Sequence, residues 1–252
     1  MVGHISFDTG VSGKDEFMLY EALAEPLAVP GFKREPRGVL QVPQDSDRYN
    51  RALTGAATSV ISGLGTANAT LYFSFLFEKL QDSFNADREG FALMNGVLPA
   101  GRFDGSNNPG ATNRHGFAVA AVDSSNLRAL IFDGTAGTRS VSSGSIPITV
   151  VNGGSNTSTS NQEVNFIVGE ILFNAGTGNA HIFNRYYAAN TNHVDVLTLA
   201  ATIEGDFDES LLDTLNLTRQ VNVNYDEVRI GKTLNAVLGI IDPPAGTVIV
   251  IK

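Results

Sequence analysis

Four stretches of the chain hold side chains grouped closely enough to do chemistry together. Asn184-Arg185-Tyr186-Tyr187 joins planar polar groups to two aromatic rings, and Arg102-Phe103-Asp104 repeats that mixture in a polar loop. Saccharides are held on an aromatic platform ringed by hydrogen-bonding groups, so Arg185, Tyr186, Tyr187 and Arg102 are the candidate ligand-binding residues. Successive strand residues face opposite ways, which leaves at most one of Tyr186 and Tyr187 for a ligand. Glu204-Gly205-Asp206-Phe207-Asp208-Glu209 places four acids in six residues, and Asp104-Gly105-Ser106-Asn107-Asn108 is a second oxygen-rich turn. Calcium gathers roughly six to eight oxygens from segments of this kind. Asp206, Asp208, Asp104 and Asn107 are therefore the candidate ligands of a structural calcium ion.

Catalytic patterns are harder to find. Retaining glycoside hydrolysis needs two carboxylates about 5–5.5 Å apart. Asp226 and Glu227 are adjacent and so face opposite ways on a strand; Glu163 and Glu170, seven apart, do the same unless a bulge intervenes. There is no Gly-x-Ser-x-Gly elbow, P-loop or Gly-x-Gly-x-x-Gly. His4, His115, His181 and His193 are scattered, and His181 and His193 are expected to be surface or satisfied histidines rather than metal ligands. The expectation is a protein that is not an enzyme and needs no organic cofactor. Asn216-Leu217-Thr218 matches a glycosylation acceptor, as an Asn- and Thr-rich chain will by chance.

The elements that must position these groups read as strands. Runs rich in Val, Ile, Phe and Tyr alternate with turns of Gly, Asn, Asp and Ser. Thr70–Phe77 has large residues on both parities, which predicts cover on both faces. Gly116–Val122 and Leu127–Phe132 flank a polar turn and form a hairpin. Ile146–Val151, Glu163–Phe173, Ala180–Ala188 and Val194–Ala200 continue the series, with Gly169 expected at a bend or bulge. Val221–Ile230 alternates, then changes phase before Val228. Val2–Phe7 and Thr247–Ile251 are short apolar strands near the two ends. Lys14–Ala24 fits a helix and a strand equally. Asp208–Leu215 suits one or two turns capped by Asp208 or Ser210, and Thr233–Leu238 a short helix ended by Gly239. Folding as one body would bury about 72% of the unfolded chain's surface. The expected fold is all-β, a two-sheet antiparallel jelly-roll sandwich with one or two short helices, forming a single domain over residues 1–252.

Composition narrows the partners. Among 252 residues there is no Cys, which excludes disulfides and Cys-ligated metals. The net charge of −9 argues against nucleic acid and anionic membranes. No apolar run approaches the ~20 residues of a spanning helix, so membrane insertion is not expected. The opening MVGHISFDTG lacks a basic and an apolar signal region, from which an export signal already removed is expected.

Two segments carry a family resemblance. Leu71–Phe77 (LYFSFLF) is followed by Gly90-Phe91-Ala92-Leu93, and Asn224–Leu238 reads NYDEVRIGKTLNAVL. A strand of the form Asp-Glu-apolar-Arg-apolar-Gly leading into a short Thr-x-x-x-Val helix resembles the closing strand of concanavalin A-like, laminin-G-type jelly rolls. The order of strands over residues 70–240 is similar to such domains on secreted planctomycete and verrucomicrobial proteins. The chain departs from them in having no Trp, and Ile182-Phe183-Asn184-Arg185-Tyr186-Tyr187 stands where they carry a Trp-containing segment. The resemblance implies an extracellular or cell-surface recognition and adhesion module, with glycan or surface protein as partner. Two alternatives stand beside it. One is a structural subunit of a surface layer, filament or virion, a homo-oligomer assembled through edge strands; the other is a polysaccharide-active enzyme.

Overall fold

The computed structural model describes residues 2–4, 18–19, 40–41, 48–53, 61, 64, 69–79, 89–98, 103, 113–123, 126–135, 140–141, 146–147, 164–188, 197–218 and 223–238. Their strands, in chain order, are β1 (Val2–His4), β2 (Met18–Leu19), β3 (Leu40–Gln41), β4 (Arg48–Ala52), β5 (Thr70–Lys79), β6 (Gly90–Met94), β7 (His115–Asp123) and β8 (Asn126–Asp133). There follow β9 (Ser140–Val141), β10 (Ile146–Pro147), β11 (Val164–Leu172), β12 (His181–Ala188), β13 (Thr198–Gly205), β14 (Thr214–Thr218), β15 (Val223–Gly231) and the helix α1 (Leu234–Leu238). The first sheet runs β13-β12-β11-β5-β15-β3-β2, with β1 also on β15; the second runs β10-β8-β7-β6-β14-β4, with β9 on β8. All pairings are antiparallel. This is the jelly-roll sandwich that the strand-and-turn texture predicts.

Strict alternation builds the space between the sheets. From β5, Leu71, Phe73, Phe75 and Phe77 point inward, and β15 adds Val223, Tyr225, Val228 and Ile230. Phe91 and Phe117 come from the second sheet to meet them. Phe73 stacks on Phe91 at 4.6 Å between centroids and on Phe117 at 5.3 Å. Such pairs add about 0.5–1.5 kcal/mol each beyond the area they bury. Phenylalanine does the work that a Trp-bearing sandwich shares with indole. Tyr225 crosses the gap with its polar end, its hydroxyl 2.7 Å from the Thr218 carbonyl and 3.1 Å from that of Gly90 on the second sheet.

Several local expectations acquire physical reasons. The hairpin forms as β7 and β8, closed at Asp123 and Asn126. The phase change in β15 is a register shift between Asp226 and Arg229, which returns Val228 and Ile230 to the inner face. Strand β5 is covered on both sides because α1 folds back over its outer face. There, Val237 and Leu238 pack on Leu76, Val164, Phe166 and Val168, and the Ser74 hydroxyl donates to the Val237 carbonyl at 2.7 Å. Gly231 permits that return, since a Cβ there would lie 2.9 Å from the Ala236 Cβ. Gly169 is a correction: β11 pairs on both sides without a register shift, so there is no bulge. A Cβ at 169 would fall 1.9 Å from the Phe73 ring, and glycine is there to let that ring lie flat on the strand.

The helix expected near Asp208 is one 3-10 turn, Glu209–Leu211, capped by Asp208 as read. Residues 18–19 of the ambiguous Lys14–Ala24 segment are extended. The remainder of that segment, Gly239, residues 148–151 and 194–196, and Thr247–Ile251 lie outside the described residues.

Candidate functional site

Where α1 does not cover it, the outward parity of the first sheet carries a polar row beside the half-buried Leu172 and Ile182. Register sets Thr202 of β13 beside Asn184 of β12, Asn184 beside Glu170 of β11, and Glu170 beside Tyr72 of β5. These four side chains form one row across four strands, and they are hydrogen-bonded end to end. Thr202 Oγ1 donates to Asn184 Oδ1 at 2.9 Å, and Asn184 Nδ2 donates to Glu170 Oε2 at 3.0 Å. Tyr72 OH donates to Glu170 Oε1 at 2.7 Å, and Tyr186 OH, two residues along β12 from Asn184, reaches Oε2 at 3.3 Å. Tyr72, Glu170, Asn184 and Tyr186 are half-buried and Thr202 is exposed. Both tyrosine rings also pack against the apolar cluster beneath α1. The rings therefore mark the boundary between a dry half and a wet half of the same face.

The electrostatics follow from this arrangement. The Tyr72 hydroxyl is pushed up to about 12, first by burial and then by its hydrogen bond to, and the charge of, Glu170. Tyr186 is raised for the same reasons, burial leading and the Glu170 charge next. Both phenols stay neutral at physiological pH. Tyr72, Tyr186 and Thr202 each have a single hydroxyl proton, and each directs it within the row. What faces outward is oxygen lone pairs, a carboxylate and one remaining Asn184 N–H. The row accepts hydrogen bonds far more readily than it gives them.

The residues singled out from sequence are placed unevenly. Tyr186 and Asn184 belong to the row. Arg185 does not: it shares the inward parity of His181 and Phe183 and is fully buried between the sheets. The signal was available in its two-residue spacing from Phe183. Tyr187 pairs through its backbone with Ile167 and Thr198, and its side chain lies outside the described residues, as do Arg102, Asp104 and Asn107. Phe103 is fully buried in the cluster over the second sheet, so it is a plug and not a stacking platform.

The two acids proposed for joint calcium chelation are engaged separately. Asp206, exposed, lies 3.6 Å from His181 Nε2. Asp208 accepts from Ser210 Oγ and, at 3.0 Å, from Ser210 N, and the Ser210 hydroxyl is the main reason its carboxyl sits below the ordinary range. Among the described residues, no three His, Cys, Asp or Glu side chains converge on a point that would hold a metal ion. His181 is the satisfied histidine expected: Nδ1 accepts from Asn174 N at 3.2 Å and Nε2 meets the Phe207 carbonyl at 3.0 Å. Tyr72 and Thr202 were missed, and Glu170 was weighed only with Glu163 as a carboxylate pair. Their only sequence signal is an outward parity shared with Asn184 and Tyr186, and that becomes informative only once strand order is known.

Comparison with known proteins yields no matching family profile and no matching curated relative. Solved structures do match in outline. Peanut lectin is 12% identical, with 91% of this chain and 96% of that one covered and a TM-score of 0.42. The alginate lyase Aly36B is 11% identical, with 77% and 81% covered and a TM-score of 0.41. The potassium-bound carbohydrate recognition domain of Emp46p is 8% identical, with 81% and 88% covered and a TM-score of 0.41.

Proposed function

We propose that this protein is a non-catalytic, extracellular recognition module of laminin-G-like type that binds a neutral saccharide on the open half of its first sheet. The observation that carries this reading is the Thr202–Asn184–Glu170–Tyr72 row with Tyr186 beside it. Its oxygens await donors, and a polyol is a dense array of hydroxyl donors. The tyrosine rings at its margin supply apolar surface for a sugar face. A uronate or sulfated glycan would bring its own acceptors and negative charge to Glu170, so neutral sugars are favoured. Catalysis is disfavoured by two features. Only one carboxylate takes part in the row, where retaining hydrolysis needs two. A tyrosine acting as general base needs its pKa near the working pH, and both phenols here are raised instead. Calcium is proposed only as a structural accessory to this binding.

The test is a glycan array on the full chain, run in millimolar calcium and in EDTA, with Glu170→Ala and Tyr186→Ala as controls. Retention on neutral glycans that both variants lose while keeping the wild-type melting profile supports the reading. A folded wild type that retains no neutral glycan, or product release from a glucan and galactan panel, sinks it. Assembly through edges is favoured by one observation: β13 ends the described first sheet and leaves Leu199 54% exposed. Light scattering that gives a ring or polymer would move the assignment to a surface subunit.

A further inference from the structure

On the inner side of the same sheet, Arg185 presents a different problem. Its side chain has no exposed area, and Nε, Nη1 and Nη2 have no hydrogen-bond partner among the described residues. Its in-register neighbours are Gly169 on β11, over which the Phe73 ring lies, and Ala201 on β13. The Phe183 ring faces it, with its centroid 5.6 Å from Cζ. A ring face offsets only part of what a guanidinium loses on leaving water. Burial alone pulls its pKa down, to about 10, with no charged neighbour contributing. The group is therefore still a cation at neutral pH, carrying five N–H donors with no counter-charge among the described residues. Buried charges are normally paired, because an unmatched one is among the costliest features a core can hold.

We infer that Arg185 is an interior anion site, occupied in the native protein by a compact monoanion, chloride or a small carboxylate such as formate, held by the guanidinium between the sheets. Full burial excludes a polymer or a bulky organic acid. The planar fork of donors suits a carboxylate in bidentate fashion and a halide at its cleft. The site lies on the opposite face of the sheet from the polar row and does not depend on saccharide binding.

The experiment is thermal unfolding of the full chain at constant ionic strength, with bulky gluconate as the reference anion and chloride or formate replacing it stepwise. The wild type is expected to gain melting temperature saturably, by about 5 °C or more at a hundredfold excess over Kd. Arg185→Met, which removes the charge while filling the space, is expected to melt in gluconate at or above the wild type and to ignore the exchange. Whichever of chloride and formate saturates at the lower concentration names the better occupant. As a second measurement, the ³⁵Cl line of the wild type should broaden and then narrow on adding formate. This alone decides the matter should Arg185→Met fail to fold. A wild type indifferent to both anions with an unbroadened ³⁵Cl line, or an Arg185→Met protein that responds as the wild type does, overturns the inference.

Discussion

The two outer faces of the sandwich are built from the same alternation and reach opposite ends. Over the second sheet, the outward parity is Ala92, Met94, Ala118, Ala120, Leu130 and Phe132, closed by Leu98 and Phe103. Among its polar members, Asn216 is itself buried and serves as a clamp: Oδ1 accepts from Leu98 N at 2.9 Å, and Nδ2 donates to the Gly96 carbonyl at 3.2 Å. Over the first sheet, α1 closes only one half, and the other half carries the hydrogen-bonded row centred on Glu170. Small outward residues let Leu98 and Phe103 sit down on the strands of the second sheet, where the first sheet sets a carboxylate flanked by phenols. Asn216 also disposes of its glycosylation pattern, because an acceptor with no exposed area cannot be modified in the folded protein.

The contrast predicts which face governs stability and which governs binding. The largest effect belongs to Phe103→Ala, which empties the plug of the second sheet and should cost about 3–5 kcal/mol in urea unfolding. Glycan retention by the molecules still folded should be unchanged, and a loss of retention would erase the distinction between the faces. Next, Asn216→Ala leaves the Leu98 N–H buried without its acceptor and should cost about 1–3 kcal/mol by the same measurement. On the other face the order reverses. Glu170→Gln should cost about 1 kcal/mol or less in stability, yet weaken saccharide binding at least about tenfold, which isothermal titration would read as about 1.4 kcal/mol.

The smallest effect is spectroscopic. Tyr72 has a raised pKa in the folded state, so its contribution to stability is intact below the ordinary phenol value near 10. That contribution is lost as pH rises through about 12. The difference between wild-type and Tyr72→Phe absorbance titrations at alkaline pH should show one phenol ionising late. Glu170→Gln should bring it earlier, but only in part, because burial is the leading cause. Ionisation of Tyr72 at the ordinary value would mean that the row does not hold together.

Much of the fold was legible in particular residues. Phe73, Phe75 and Phe77 against Tyr72, Ser74 and Leu76 declared a strand buried on both sides, and Asp208 declared its cap. Gly169 misled, because a glycine inside a strand signals either a bulge or a close approach, and only the position of the Phe73 ring distinguishes them. The site was half legible. Asn184 and Tyr186, read as saccharide-binding chemistry, fall in the row, whereas Arg185, read the same way, is shut between the sheets. Tyr72 stands 98 residues from the carboxylate it bonds, and Glu170 stands 14 from Asn184. Nothing in local spacing links residues so far apart.

By itself, the sequence determined what is periodic: strands from alternation, turns from Gly, Asn and Asp, and a sandwich because alternating faces must be buried against a second sheet. Tertiary structure alone decided which strands became neighbours, and with that which polar residues fell into one row and which cation was shut inside. The reason is that side-chain direction is set within a strand by its own backbone, while cross-strand company depends on long-range order that no short stretch of residues contains.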